Sequence, residues 1–411
     1  MRLKVCSAAM AACALAFLAS LPARADTVDE MLRAAAYEGP LTSGTAKLET
    51  IAEPKARFAL GALRLVLATE HLVQGLYRHG LSTPEAAIPI LRIPVPANPR
   101  PEALTYDGFR SILARFDADL GSAQAALEAV GDGPVSLPVD LSLVRIDMNG
   151  DGTASESERL WSVLAAVDPG IAAVTRHGEA PVPVGGYLVT FDAGDVPWML
   201  GYVHVLRAVV TFWLAHDFSA QFQQTYHAFF PHAGLPFSDA LTVDTPLDID
   251  GASLADLVAF VHLLNCPVVD KAQLGQALAH LRAVPALSRK SWTAILAETD
   301  DDHEWLPNPR QTNRFPSLPV TQDRIGAWLK GMNLLEEVLD GRRLVPHWRF
   351  TKGLNLKRAV LDHDRFDPVL WATGTGIAPF LEDGTTLSTD EWTGILDAFR
   401  GSFGSYAVWF N

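Results

Sequence analysis

Six oxygen-bearing residues recur through one twelve-residue stretch: Asp147, Asn149, Asp151, Thr153, Ser155 and Glu158, with Gly152 between the third and fourth. Counted from Asp147, they hold positions 1, 3, 5, 7, 9 and 12. A hard cation such as calcium takes six to eight oxygens, and this spacing lets alternate side chains point inward together. Gly152 permits the sharp turn, Thr153 offers its carbonyl, and Glu158 can give both carboxylate oxygens. The chemistry predicted here is calcium binding, with the ion bracing the fold.

The stretch resembles the calcium loop of the EF-hand family, residue for residue over 147–158, and no whole-chain family is suggested. The resemblance implies a helix-loop-helix unit that binds calcium. Pro246-Leu-Asp248-Ile-Asp250-Gly251 reads as a degenerate second loop lacking key oxygens, better taken as a helix start.

A second polar region is 299–320, a long stretch carrying four prolines (Pro307, Pro309, Pro316, Pro319). Asn308, Arg310 and Arg314 could hold a carboxylate or sugar there, with Trp305 as a stacking face and His347 joining from the next segment. Asp300, Asp301, Asp302 and Glu304 read as a solvated acidic face. His204, His216 and His227 read as core or helix-end histidines, because twelve helical residues span about 18 Å and separate the first two too widely for one metal. Asp362-His363-Asp364 reads as a surface cluster at a helix end. No Gly-x-Ser-x-Gly elbow, His-Glu-x-x-His zinc signature or phosphate-binding glycine loop is present.

The N-terminus reads as a signal peptide over residues 1–25: Arg2 and Lys4, an apolar run from Val5 to Leu21, then Ala23-Arg24-Ala25 as a cleavage site. That predicts a periplasmic or secreted protein with no transmembrane segment in the mature chain. The whole chain carries 33 Lys and Arg against 47 Asp and Glu. Removing the leader takes away Arg2, Lys4 and Arg24 and no acid, which leaves a formal charge of −17. Such a surface argues against nucleic acid, whose phosphates need a basic footprint. The expected partner is an envelope protein or a small anionic or sugar ligand. Cys266 is the one cysteine outside the leader, so no intramolecular disulfide can form in the mature chain. Its apolar surroundings predict an inert thiol.

Apolar periodicity predicts helices over 53–79, 105–129, 197–215, 217–230, 254–264, 271–283, 288–298, 321–339 and 389–399. Pro138 is read as opening a short helix into the calcium loop, which a second helix leaves over 156–167. Residues 185–191 read as a strand, and 405–410 as a terminal strand or tucked apolar tail. The fold class predicted is mainly α, a multi-helix globular protein with one EF-hand-like unit and a few short strands. Two regions follow the signal peptide: 26–240, which contains 147–158, and 241–411, which shares or packs on the first. The functional expectation is an exported calcium-binding protein of structural or ligand-binding role. The alternative is an envelope hydrolase with a structural calcium and an anion-binding loop at 299–320.

Overall fold

The computed structural model describes residues 27–82, 95–155, 158–161, 186–238, 251–314 and 318–410. The signal-peptide segment, the continuation of the segment after Trp161 and the degenerate loop before Gly251 lie outside the described residues. The fold is mainly helical with a few short strands. In chain order the elements are α1 Val28–Arg33, α2 Leu41–Leu48, α3 Pro54–Arg78, α4 Tyr106–Glu128, β1 Ser136–Asp140, β2 Leu188–Asp192, α5 Asp195–Leu214, α6 Ser219–Thr225 and α7 Gly251–Leu263. They continue with β3 Cys266–Pro267, α8 Lys271–Ala297, α9 Gln322–Leu339, β4 Gly353–Leu354, α10 Leu356–Asp362, β5 Arg365–Phe366, α11 Pro368–Thr373, β6 Leu381–Glu382, α12 Thr389–Ala398 and α13 Phe403–Phe410.

The long helices start where local chemistry dictates. Pro54 occupies the first turn of α3, where its missing N–H costs nothing. Thr105 caps α4 by accepting from the Gly108 amide, and Asp270 caps α8 by accepting from Ala272 and Gln273. Around Pro285 the sequence predicts a break. Instead α8 runs unbroken for 27 residues with Pro285 buried inside it. Packing along α5 outweighs the hydrogen bond that the proline forfeits.

α5 lies between α4 and α8. It is long and apolar enough to cross a membrane by length and composition, and half of its most apolar window is buried inside the protein. On one side Arg207 makes a two-pronged ion pair with Asp117 of α4, at 2.8 and 3.2 Å, and donates to Gln124 at 2.8 Å. On the other, Ser291 of α8 donates to the Gly194 carbonyl at 2.8 Å. The main apolar core takes side chains from α1 to α5, α8, α9, α12 and α13, including Phe58, Leu120, Trp292 and Phe410. The terminal segment is therefore a buried helix rather than a strand. Its Trp409 indole donates to the Trp305 carbonyl at 3.2 Å.

β1 and β2 pair antiparallel, Ser136 opposite Asp192 and Asp140 opposite Leu188. This corrects the helix expected from Pro138. A proline in a strand needs an edge position, where its lack of an N–H is tolerated, and among the described residues β1 has only β2 as a strand neighbour. Beyond β2, Glu304 adds a parallel bridge to Thr190, whose amide donates to the His303 carbonyl at 3.1 Å.

Candidate functional site

The EF-hand expectation at 147–158 is overturned. The chain enters this loop from a strand and turn, not from a helix. Its two ends are tied by a short antiparallel ladder: Arg145 bridges Arg159, the Ile146 amide donates to the Glu158 carbonyl, and the Leu160 amide donates to Val144. The loop's own amides take its acidic oxygens. Asp147 accepts from Gly150, Asp151 and Gly152, and Asp151 accepts from Thr153. Glu158 is buried and accepts from Met148, Asn149 and Ser155. Asp147, Asp151 and Glu158 do not converge as a ligand set. Gly152 does take the left-handed conformation the turn requires (φ +87°). From below, Glu70 of α3 accepts from the Asp147 amide at 2.7 Å, and Gln74 donates to the Asp147 carbonyl at 2.8 Å. Burial first, then the charges of Asp147 and Glu158, push the Glu70 carboxyl up to about 7. The loop is thus a hydrogen-bonded clamp joining the end of the β1 region to α3.

Among the described residues, the group of three or more candidate metal ligands that converges lies elsewhere. Asp192, Glu298 and Glu304 each bring a carboxylate oxygen within 4.8 Å of the others. Each comes from a different part of the fold. Asp192 ends β2, and its carboxylate accepts from the Gly194 amide at 2.6 Å. Glu298 caps the C-terminus of α8. Glu304 is drawn in by its bridge to Thr190 and accepts from the Asp302 amide at 3.0 Å. A fourth acid, Asp195, is 3% exposed at the start of α5 and accepts from the Asp192 amide at 2.9 Å. The close approach depends on Gly194. A Cβ there would lie 2.9 Å from the Glu298 carboxylate and 2.9 Å from the Ile295 side chain.

No Lys or Arg forms an ion pair with any of these four acids among the described residues. Burial and mutual repulsion instead favour the protonated forms. Burial, then the neighbouring Asp192, pushes Glu298 up to about 8. Burial and the surrounding acids push Glu304 up to about 7. Asp192 and Asp195 are raised as well, both mainly by burial. Glu298 and Asp192 share a side-chain hydrogen bond, so a protonated Glu298 donates to Asp192. Gln311 donates to a Glu298 carboxylate oxygen at 3.3 Å. All the side-chain donor atoms here are oxygens, the set preferred by hard divalent cations.

The residues proposed to hold an anion or sugar serve this wall structurally. Asn308 is buried and donates to the Ile295 carbonyl at 3.0 Å at the end of α8. Arg310 donates to the Leu296 and Glu298 carbonyls, placing positive charge at the negative end of the same helix. Arg314 lies over the Tyr187 ring and donates to the Leu188 carbonyl at 2.7 Å. Trp305 is buried between Phe191 and Trp198 rather than displayed on the loop surface. His347 is not brought to them. It stacks on Trp348 and contacts the Ala372 carbonyl in the C-terminal region. His303 is exposed beside Asp302, and its backbone is left-handed (φ 64°). The thiol of Cys266 is buried and pushed up to about 11, as its surroundings predict.

Behind this wall lies a cavity of about 360 Å³, lined almost wholly by apolar side chains, among them Leu65, Val139, Phe191, Trp198, Leu206 and Trp305. Phe191 and Trp305 are the chain neighbours of Asp192 and Glu304, so alternation along two short segments sends aromatics one way and acids the other. Asp192 and Glu298 are invisible to a local reading because they are 106 residues apart. The one signal is an acid placed directly against a bulky aromatic, in Phe191-Asp192 and Glu304-Trp305. No protein-family model matches this chain, and neither a curated protein nor a solved structure matches it.

Proposed function

We propose that this chain binds one hard divalent cation, of the calcium class, at Asp192, Glu298 and Glu304, in a structural or ligand-binding role. One observation supports the reading above the others: four clustered acids with no Lys or Arg partner among the described residues. Carboxyls gathered this way must either keep protons or receive a cation. A bound ion would tie the end of β2 to the C-terminus of α8 and to the 302–305 segment, adding to stability by linkage. Calorimetric titration of metal-stripped protein with calcium tests it. One ion is expected per chain, with affinity reduced roughly 100-fold or more, about 2.7 kcal/mol, in Asp192→Asn. A titration without heat at pH 8, where competing protons are fewest, would sink the proposal.

The cavity favours a second reading, that the chain also holds a small uncharged apolar ligand. Its size suits such a molecule, and among the described residues its lining includes no Lys, Arg, Asp or Glu to recognise a charged one. Enhanced fluorescence of an apolar dye, abolished by Leu206→Trp, is the expected result. A dye that binds equally well to the filled cavity would exclude it.

A further inference from the structure

Two imidazoles meet where the chain leaves α5. His216 lies two residues beyond Leu214, and His363 follows the last residue of α10. Both are buried, at 0% and 3% exposure, although the Asp362-His363-Asp364 group reads in sequence as a surface cluster. Their Nε2 atoms stand 2.9 Å apart with the rings stacked at 25°.

The other ring nitrogens decide what that contact is. His216 Nδ1 is 2.6 Å from the Phe212 carbonyl. His363 Nδ1 is 2.8 Å from the Ala359 carbonyl and 3.0 Å from that of Val360. A carbonyl oxygen can only accept, so each Nδ1 carries the hydrogen. In the neutral rings both Nε2 atoms then present lone pairs, aimed at each other. That arrangement is repulsive unless something positive sits between them. Burial opposes an added proton, lowering His216 to about 4 and lowering His363 as well. Burial thus favours the neutral form of both rings.

We propose that His216 and His363 form a binding site for one monovalent, imidazole-preferring metal ion of the copper(I) class, held between the two Nε2 atoms. Neutral rings with Nδ1–H fixed on backbone carbonyls are the arrangement that orients ligating histidines. No Asp, Glu or Cys converges with the pair as a third ligand among the described residues. Zinc, which takes four ligands, is poorly served by two. The surrounding rings of Phe212, Phe366 and Trp371 make a low-dielectric box, in which a single positive charge costs less than two. Two metal–nitrogen bonds of about 2.0 Å would set the nitrogens about 4 Å apart. The rings must therefore separate by about 1 Å, shared between the segment after α5 and the last turn of α10.

Silver(I), a redox-inert ion of the same preference, is the probe, added in chloride-free buffer to a Cys266→Ser chain so that the thiol does not compete. One silver per chain is expected. It should move the ¹⁵N resonances of two histidine Nε2 atoms, and affinity should fall roughly 100-fold in His216→Gln and in His363→Gln. Should either variant fail to fold, the resonances of the parent chain decide. Silver uptake that leaves those resonances in place overturns the proposal. So does a pair that shows a shared N–H···N proton at pH 7 and takes up no silver.

Discussion

Calcium binding by this chain is expected to release protons, more per ion at pH 6.5 than at pH 8.5. Glu298, raised to about 8, and Glu304, raised to about 7, both hold protons near neutrality that a cation must displace. About one to two protons should leave per ion at pH 7, measured by calorimetry in buffers of different ionisation enthalpy. Stability carries the complementary sign. A carboxyl whose folded value lies above its unfolded one binds more protons in the folded state, so its contribution is complete below the unfolded value near 4.5. It is lost as pH rises through about 8. In chelator the melting temperature should therefore fall between pH 5.5 and 8.5 on this account, and saturating calcium should cancel most of the fall. Glu298→Gln should flatten the pH dependence and weaken binding together. Calcium affinity independent of pH would mean that the ion binds elsewhere.

The second large effect is expected at Glu158, with no ion involved. Its two oxygens accept three backbone amides and the Ser155 hydroxyl, at 2.7 to 3.2 Å, from a site 4% exposed. Truncation to alanine leaves those donors without their acceptor in a space water reaches poorly. Only the Met148 contact is fully buried, so at roughly 1–3 kcal/mol for that stranded amide and about 1 kcal/mol for each of the three part-buried donors, Glu158→Ala should cost about 3–6 kcal/mol. Urea unfolding of both chains, each in calcium and in chelator, measures it. The loss should be equal in the two conditions, because the carboxylate is bound to amides. A loss confined to calcium would restore an ion to this loop.

The local grammar of the helices was legible. Apolar spacing outlines α3 and α9 to within a residue or two, and Ser388 with Glu391 forms the capping box its spacing announces. The glycine-bounded β-branched run at 185–191 points to β2, which spans Leu188–Asp192. What failed was the inference from local pattern to tertiary convergence. Residues 147–158 contain every ligand type in register, yet the segments that flank them pair as a ladder, and the oxygens go to amides. The candidate site is the converse. Asp300, Asp301 and Asp302 follow the solvated reading, while Glu304 turns inward because the 303–304 backbone pairs with Thr190, a contact across more than a hundred residues. His216 and His363 likewise meet across 147 residues.

The strand-like alternation at 191–192 and 304–305 means that a single peptide link in each segment separates a charged compartment from a dry one. The two compartments have no independent walls. A rigid shift that tightens the carboxyl cluster around an ion must also move Phe191 and Trp305, and so reshape the end of the cavity. Occupants of the two sides are then thermodynamically linked: whatever factor the ion applies to the affinity of an apolar guest, the guest applies to the ion.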